Sequence, residues 1–300
     1  MELLRPDSLE GAQAALAKAT GATGEARAAS VGAAKSAPQD SVVLAGGTEL
    51  VPLLRDRIVE ANVLVDVRAV VPRGIEGTRI GAGTTLGELE VDPQIPQALR
   101  EVCRLAASPQ LRAMGTIGGN LLQATRCWYW RLSYPCWLHG GDRCLAREGM
   151  HREHAVFANK PCASAHPSDP AAALLALGAR LRTDRRELAL GDLYRLPTDQ
   201  DRQMTTLEPG ELILEVDVPS PEASTYLKAM DRQRFSFALV GVAAARFADG
   251  PRLALSGVAP IPWLVKGEDA LDSATPLPQN AYKLEIARAL IRRALAEVNP

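Results

Sequence analysis

Apolar positions along the chain fall into short alternating runs and helical stripes, punctuated by glycine- and proline-rich turns. Asp7 or Ser8 can cap an opening helix, with Glu10 in its first turn and Ala14, Ala15, Leu16 and Ala17 behind it. The stretch 20–40 is small, polar and rich in Gly, Ala and Ser, and reads as a loop or a loosely packed helical insertion. Ser41-Val42-Val43-Leu44 predicts a strand that runs through Gly46-Gly47 into an apolar helix carrying Leu50, Val51, Leu53 and Leu54. Strands are predicted at Val63–Val67 and Thr78–Ala82, and a helix at Gln97–Ala107 that places Cys103 among apolar neighbours. A second glycine turn, Gly115-Thr116-Ile117-Gly118-Gly119-Asn120, leads into a long stretch, 123–166, with no clean period. So long an irregular segment in a compact domain is either functional or disordered. Pro167-Ser168-Asp169-Pro170 then predicts the start of an apolar helix over 171–177.

Residues 182–200 carry little apolar content and mark the expected domain boundary. Beyond them, Glu211–Val218, Thr225–Arg232, Phe237–Phe247 and Leu253–Val258 predict successive strands. A closing amphipathic helix carries Leu284, Ala287, Ile291, Ala294, Leu295 and Val298 on one face. Strands in succession followed by a helix point to an α+β second domain. The longest apolar runs, around 171–179 and 237–245, fall short of the roughly 18 residues of a membrane span and read as buried core.

Composition narrows the classes. With 300 residues the chain can build two domains with real cores, and 47% hydrophobic against 23% charged residues is the balance of a soluble globular protein. Lys and Arg number 34 against 35 Asp and Glu, a formal net charge of −1, which lacks the basic field a nucleic-acid partner requires. Near-neutrality does suit a subunit that hides surface in a complex. The first residues show no basic segment followed by an apolar one, so the expectation is a cytoplasmic chain.

The candidate chemistry is unevenly placed. Cys127, Cys136, Cys144 and Cys162, four of the 5 cysteines, share one stretch with all 4 histidines, His139, His151, His154 and His166. Trp128, Tyr129, Trp130, Tyr134 and Trp137 lie there too. The spacing C-x8-C-x7-C-x17-C lacks the C-x2-4-C knuckle of common zinc sites. Disulfides would need an exported chain. Four thiolates from a long loop shielded by aromatics suit a 4Fe–4S cluster better, yet spacing alone leaves the cluster, zinc, and unligated or disulfide-bonded cysteines open. The histidines either complete a mixed metal site or hydrogen-bond behind a ligand. As a stacking platform for single-stranded nucleic acid the aromatics lack the basic groove that goes with it. The two glycine turns each place backbone N–H groups where a phosphate can approach, and neither matches a Walker or GxGxxG pattern. Two such turns in one domain suggest a dinucleotide held at both ends.

Ala45-Gly46-Gly47-Thr48-Glu49-Leu50, Thr116-Ile117-Gly118-Gly119-Asn120-Leu121 and His166-Pro167-Ser168-Asp169, in this order, resemble the FAD-binding medium subunits of molybdenum hydroxylases, the xanthine dehydrogenase and carbon monoxide dehydrogenase flavoprotein family. The resemblance continues through Leu207–Pro219 and Lys228–Val242, and so spans nearly the whole chain. The cysteine stretch is most similar to the periplasmic aldehyde oxidoreductase type, whose medium subunit carries a 4Fe–4S cluster beside FAD.

The resemblance implies an α+β fold with two domains. A two-part PCMH-type FAD-binding domain would span 1–181, with a cluster-binding loop at 123–166. A C-terminal domain like that of carbon monoxide dehydrogenase flavoproteins, an antiparallel sheet plus helices, would span 182–300. It implies FAD contacts at Leu44, Ala45, Gly46, Gly47, Thr48, Glu49, Leu50 and Val51, at Thr116, Gly118, Gly119 and Asn120, and at Asp169, Ile213 and Lys228. Taken by itself, Asp169 reads as a helix cap and Lys228 as a solvated strand residue. The implied cluster ligands are Cys127, Cys136, Cys144 and Cys162. The implied role is electron transfer in a heterotrimeric aldehyde oxidoreductase: a large molybdopterin subunit and a small 2Fe–2S subunit feed FAD, and an external acceptor is reduced. No acid–base or nucleophilic catalyst is expected in this chain. A partner's twin-arginine signal would carry such a complex to the periplasm. Two other readings stand beside it: a medium subunit acting with an N-heterocycle or xanthine-type dehydrogenase, and a zinc-stabilised scaffold or binding module.

Overall fold

The computed structural model describes residues 1–20 and 39–299. The Gly/Ala-rich insertion expected over 20–40 lies, apart from its ends, outside the described residues. The chain opens with β1 (Glu2–Leu4), α1 (Leu9–Thr20), β2 (Gln39–Leu44), α2 (Leu50–Arg55) and β3 (Ala61–Asp66). Ser8 starts α1, its Oγ accepting the Gly11 N–H at 3.1 Å. β1 and β2 flank β3 as parallel neighbours, so the carboxyl ends of β2 and β3 open side by side.

β4 (Ile75–Glu76), β5 (Arg79–Gly81), α3 (Leu86–Val91), α4 (Gln97–Leu105), α5 (Pro109–Arg112), α6 (Ile117–Leu121) and α7 (Trp128–Arg131) follow. Through 132–168 the chain makes only short turns, including single 3-10 turns at Trp137–His139 and Leu145–Arg147. It then enters α8 (Asp169–Ala176), β6 (Arg180–Thr183), β7 (Glu187–Ala189) and β8 (Ile213–Asp217). The predicted boundary at 181/182 falls inside a sheet, since Leu181 on β6 pairs with Val216 on β8. That sheet runs β4-β5-β8-β6-β7, so residues up to Asp217 complete what β4 and β5 begin. The stretch 182–200 looks apolar-poor because β6 and β7 bury only alternate side chains, among them Leu181, Thr183 and Leu188.

The last layer comprises β9 (Ala223–Ala229), β10 (Val240–Phe247), β11 (Gly250–Ser256), β12 (Trp263–Val265) and α9 (Tyr282–Val298). The four strands form an antiparallel sheet in the order β12-β11-β10-β9. β10 is buried on both faces. Val240, Val242 and Ala244 pack toward α9, with Ala287, Ile291 and Ala294, while Ala243 and Ala245 pack toward α8. Small residues on the second face let α8 lie close to the sheet, and α8 is itself apolar nearly all round because α4 covers its other side. These observations bear out the α+β class, with strands and helices largely segregated. No helix among the described residues is long and apolar enough to cross a membrane.

Candidate functional site

The two glycine turns meet. An alanine Cβ built at Gly46 would lie 1.9 Å from the carbonyl oxygen of Met114, so the first turn rests against the chain leading into the second. The second turn is tied to the chain between β5 and α3: Gly118 N–H donates to the Ala82 carbonyl at 2.9 Å and Ile117 N–H to that of Thr84 at 2.8 Å. Thr116 caps α6, its Oγ1 accepting the Gly119 N–H. Among the described residues no acceptor occupies the N–H of Gly46 or Thr48.

Between the turns lies a cavity of about 780 Å³, within the range of small-molecule and cofactor sites. Of the residues the resemblance implied, Ala45 to Leu50, Thr116, Gly118, Gly119, Asn120, Asp169, Ile213 and Lys228 line it. Leu44 and Val51 do not. Leu44 packs on the apolar cluster beneath the turn, and Val51 projects outward, 53% exposed. The sequence reading missed Arg68, Arg73, Arg126 and Phe235 to Phe237, all of which border the cavity. Arg68 had a signal: it follows β3, and ligands of parallel sheets collect outside the carboxyl ends of strands. Its guanidinium is held by Asp66 through contacts of 2.9 and 2.6 Å. The Phe235–Phe237 loop had none, because strand pairing alone brings it over the site.

Lys228 is not a solvated strand residue. Its ammonium lies 2.7 Å from Asp169 Oδ2, with both side chains buried, and also donates to the Leu105 carbonyl at 3.3 Å. Asp169 is not the cap of α8 either: Ser168 is, with Oγ accepting the Ala171 N–H at 3.1 Å. Ser168 Oγ in turn donates to Asn120 Oδ1 at 2.6 Å, joining the second glycine turn to α8. Burial, then the neighbouring Asp169 charge, pushes the Tyr226 hydroxyl well above its ordinary range, so it stays protonated as a donor in this network.

Glu49 joins the first turn to the cysteine stretch. Its carboxylate meets Arg126 at 2.7 Å and Arg131 at 2.5 Å, and accepts the Ala124 N–H at 3.1 Å. Arg126 also stands 4.7 Å from the centre of the Phe237 ring, under the loop that edges the cavity.

The four predicted ligand cysteines gather in one apolar core with Trp130 and Trp137, while Cys103 sits alone in another. All five thiols are free. Backbone N–H groups just ahead in the chain favour each clustered thiolate: Tyr129 and Trp130 at Cys127, Leu138 and His139 at Cys136, Ala146 and Arg147 at Cys144, Ser164 at Cys162. Burial outweighs this at Cys127 and pushes it up to about 12. Cys144 is lowered because Cys162 donates a hydrogen bond to its sulfur. Among the described residues no three His, Cys, Asp or Glu side chains stand together as a preformed site for a single metal ion. The donor set itself, four shielded thiols flanked by amides, fits an iron–sulfur cluster in chemistry.

His154 reaches into this core, its Nε2 lying 3.1 Å from Cys127 Sγ. Burial, then the Lys283 charge, holds the ring neutral down to about pH 4. His151 instead braces the chain, with Nδ1 against the Ala146 carbonyl and Nε2 accepting the Gln279 N–H. His166 accepts the Ser168 N–H and packs edge-on against Tyr194. A second cavity of about 400 Å³ is lined by Cys127 and His154 and shares Arg126, Asp169 and the Phe235–Phe237 loop with the first.

Comparison with known proteins agrees with this geometry. A family model described as the FAD binding domain in molybdopterin dehydrogenase matches residues 1–221. The aldehyde oxidoreductase FAD-binding subunit PaoB of Escherichia coli is 36% identical over 286 residues, covering 85% of this chain and 90% of that one. The carbon monoxide dehydrogenase medium chain of Afipia carboxidovorans is 41% identical over 91 residues, 27% of this chain and 31% of its own. In fold, the chain is similar to a carbon monoxide dehydrogenase structure from Hydrogenophaga pseudoflava, with a TM-score of 0.68 at 22% identity over 99% of this chain and 96% of that one.

Proposed function

The chain belongs to the family of FAD-binding domains of molybdopterin dehydrogenases, and on that premise we propose that it is the flavin subunit of an aldehyde-oxidising molybdenum hydroxylase, and carries a 4Fe–4S cluster in addition to FAD. The observation that carries the flavin reading is the cavity between the two glycine turns. It offers unoccupied N–H groups at Gly46 and Thr48 and the guanidinium of Arg68 for a pyrophosphate. Apolar walls such as Ile213, Leu111 and Leu122 suit rings. Lys228, Asp169 and Asn120 fix polar positions at its far side. When bound, FAD supplies one- and two-electron chemistry that links metal centres on partner subunits to an external acceptor. In this reading the chain's residues bind, orient and shield the flavin.

The cluster reading is supported by Cys127, Cys136, Cys144 and Cys162 sharing one buried core with amides directed at their sulfurs. Such a cluster would supply a one-electron centre beside the flavin cavity. The aldehyde assignment draws on similarity to PaoB, a subunit of an aldehyde oxidoreductase, and a large molybdopterin subunit and a small 2Fe–2S subunit are the expected partners.

The test is an anaerobic visible spectrum of the complex purified with its partners, with flavin, iron and sulfide quantified, followed by turnover with aldehydes and with N-heterocycles. Flavin bands, iron beyond the partners' clusters that is lost in Cys136→Ser, and turnover of aldehydes are expected. Turnover of N-heterocycles alone would move the chain to another molybdenum hydroxylase, and a colourless chain would overturn the flavin reading.

A further inference from the structure

We propose that His154 is a positioning residue that donates its Nε2–H to the sulfur of Cys127 and raises the reduction potential of the cluster held there. The inference rests on the cluster reading above. Its geometric basis is a 3.1 Å contact between Nε2 and Sγ. The ring has little room to leave that position. It is 3% exposed, stands edge-on to Trp128 with centroids 5.3 Å apart, and its own carbonyl is held by the Asn280 side chain at 3.1 Å.

The direction of the hydrogen bond follows from chemistry. A cysteine that ligates iron is a thiolate and has no proton to give, so the hydrogen of the 3.1 Å contact sits on Nε2. Among the described residues the buried Nδ1 has no partner, and the Nε2–H tautomer leaves it a bare acceptor rather than an unpaired donor. An N–H···S bond withdraws negative charge from sulfur. It stabilises the reduced, more negative cluster over the oxidised one and moves the potential upward. Reduction adds one electron to the cluster, and the proton stays on the ring.

Cys127 is singled out by its surroundings. Backbone amides favour the sulfurs of all four, and Cys162 also meets the hydroxyl of Ser164 at 3.4 Å; Cys127 in addition meets the imidazole of His154. Cys127 and His154 also line the second cavity, which shares its Asp169 and Phe237 wall with the flavin cavity. The tuned sulfur is therefore on the flavin side of the cysteine core.

The test is an EPR-monitored redox titration of the whole complex, comparing wild type with His154→Leu and His154→Gln. At a fixed potential near the wild-type midpoint, His154→Leu is expected to lower the reduced-to-oxidised ratio of the cluster about tenfold, which is about 59 mV for a one-electron couple. His154→Gln, whose amide can still donate, is expected to shift less. A cluster retained in His154→Leu with an unchanged midpoint overturns the proposal. A wild-type complex with no iron or signal for this cluster instead overturns the cluster reading, and the proposal with it. Should His154→Leu lose the cluster, wild-type complex labelled with ¹⁵N-histidine decides the matter. A ¹⁵N hyperfine coupling to the reduced cluster supports the N–H···S bond, and its absence overturns it.

Discussion

The Nζ of Lys228, on β9, lies 2.7 Å from Oδ2 of Asp169 in the first turn of α8, with 1% and 6% of the two side chains exposed. The pair closes the flavin cavity where the antiparallel sheet meets the helix, and Gly241 sits opposite Lys228 in the strand register. A buried ion pair adds little net stability, but removing one partner strands the other charge at a cost of about 3–5 kcal/mol. Lys228→Met is therefore expected to lower both thermal stability and flavin content. The double variant Lys228→Met with Asp169→Asn should recover much of the stability without recovering flavin. Thermal unfolding together with the flavin-to-protein absorbance ratio separates the two effects.

Gly46 is required by contact rather than by conformation. Its Cβ would meet the Met114 carbonyl at 1.9 Å, and backbone must yield, whereas at Gly267 nothing lies within 4 Å. Gly46→Ala should cost about 1–3 kcal/mol by overpacking and reduce FAD affinity by moving one turn off the other. Gly267→Ala, at an extended position with open space, should stay within about 0.5 kcal/mol of wild type. Equilibrium urea unfolding and flavin titration of the two proteins provide the comparison.

Arg68 hydrogen-bonds to Asp66 and holds its carboxyl below the usual value of 3.8. The unfolded chain then binds more protons than the folded one in the acid range, so stability rises with pH there. The contribution is present in full above about pH 5 and is lost as pH falls through the folded value. With Arg68 half in solvent, it amounts to about 1 kcal/mol. Asp66→Asn should flatten the fall in melting temperature between pH 5 and 3 relative to wild type. An equal slope in both proteins would assign the acid lability elsewhere.

Glu49 is the charge that Arg126 and Arg131 share, and all three side chains are at least two-thirds buried. Glu49→Gln keeps the shape and removes the charge, leaving two guanidinium groups without their carboxylate. Amides of 124–131 are expected to exchange hydrogen faster by a factor of about ten or more, the equivalent of at least 1.4 kcal/mol of local opening. Flavin affinity should fall in parallel. Unchanged exchange with reduced flavin would confine Glu49 to the flavin turn.

Much of the fold was legible because its patterns are local. The strand–Gly-Gly–helix unit around Gly46, the helix with Cys103 in its core and the amphipathic closing helix each depend on neighbours a few residues apart, and all stand where periodicity placed them. β1 was missed because three residues, largely exposed, carry no period. The sheet that crosses residue 182 was missed because β5 and β8 pair across more than a hundred residues, and no local pattern records a partner that distant.

The sequence by itself determined the chemical inventory: two glycine turns, four clustered cysteines, aromatics around them, and motifs specific enough to name a family. Composition and spacing carry that information because backbone freedom, thiol chemistry and turn geometry are properties of residue types. Only the tertiary structure decided which of these groups meet. Lys228 and Asp169 lie fifty-nine positions apart, and sheet and helix packing turned a surface-like lysine into a buried partner. His154 gave no sign of being more than one of several histidines until folding set its Nε2 against Cys127. Contacts of this kind arise from the burial of distant segments in one core, and that is a cooperative property of the whole chain.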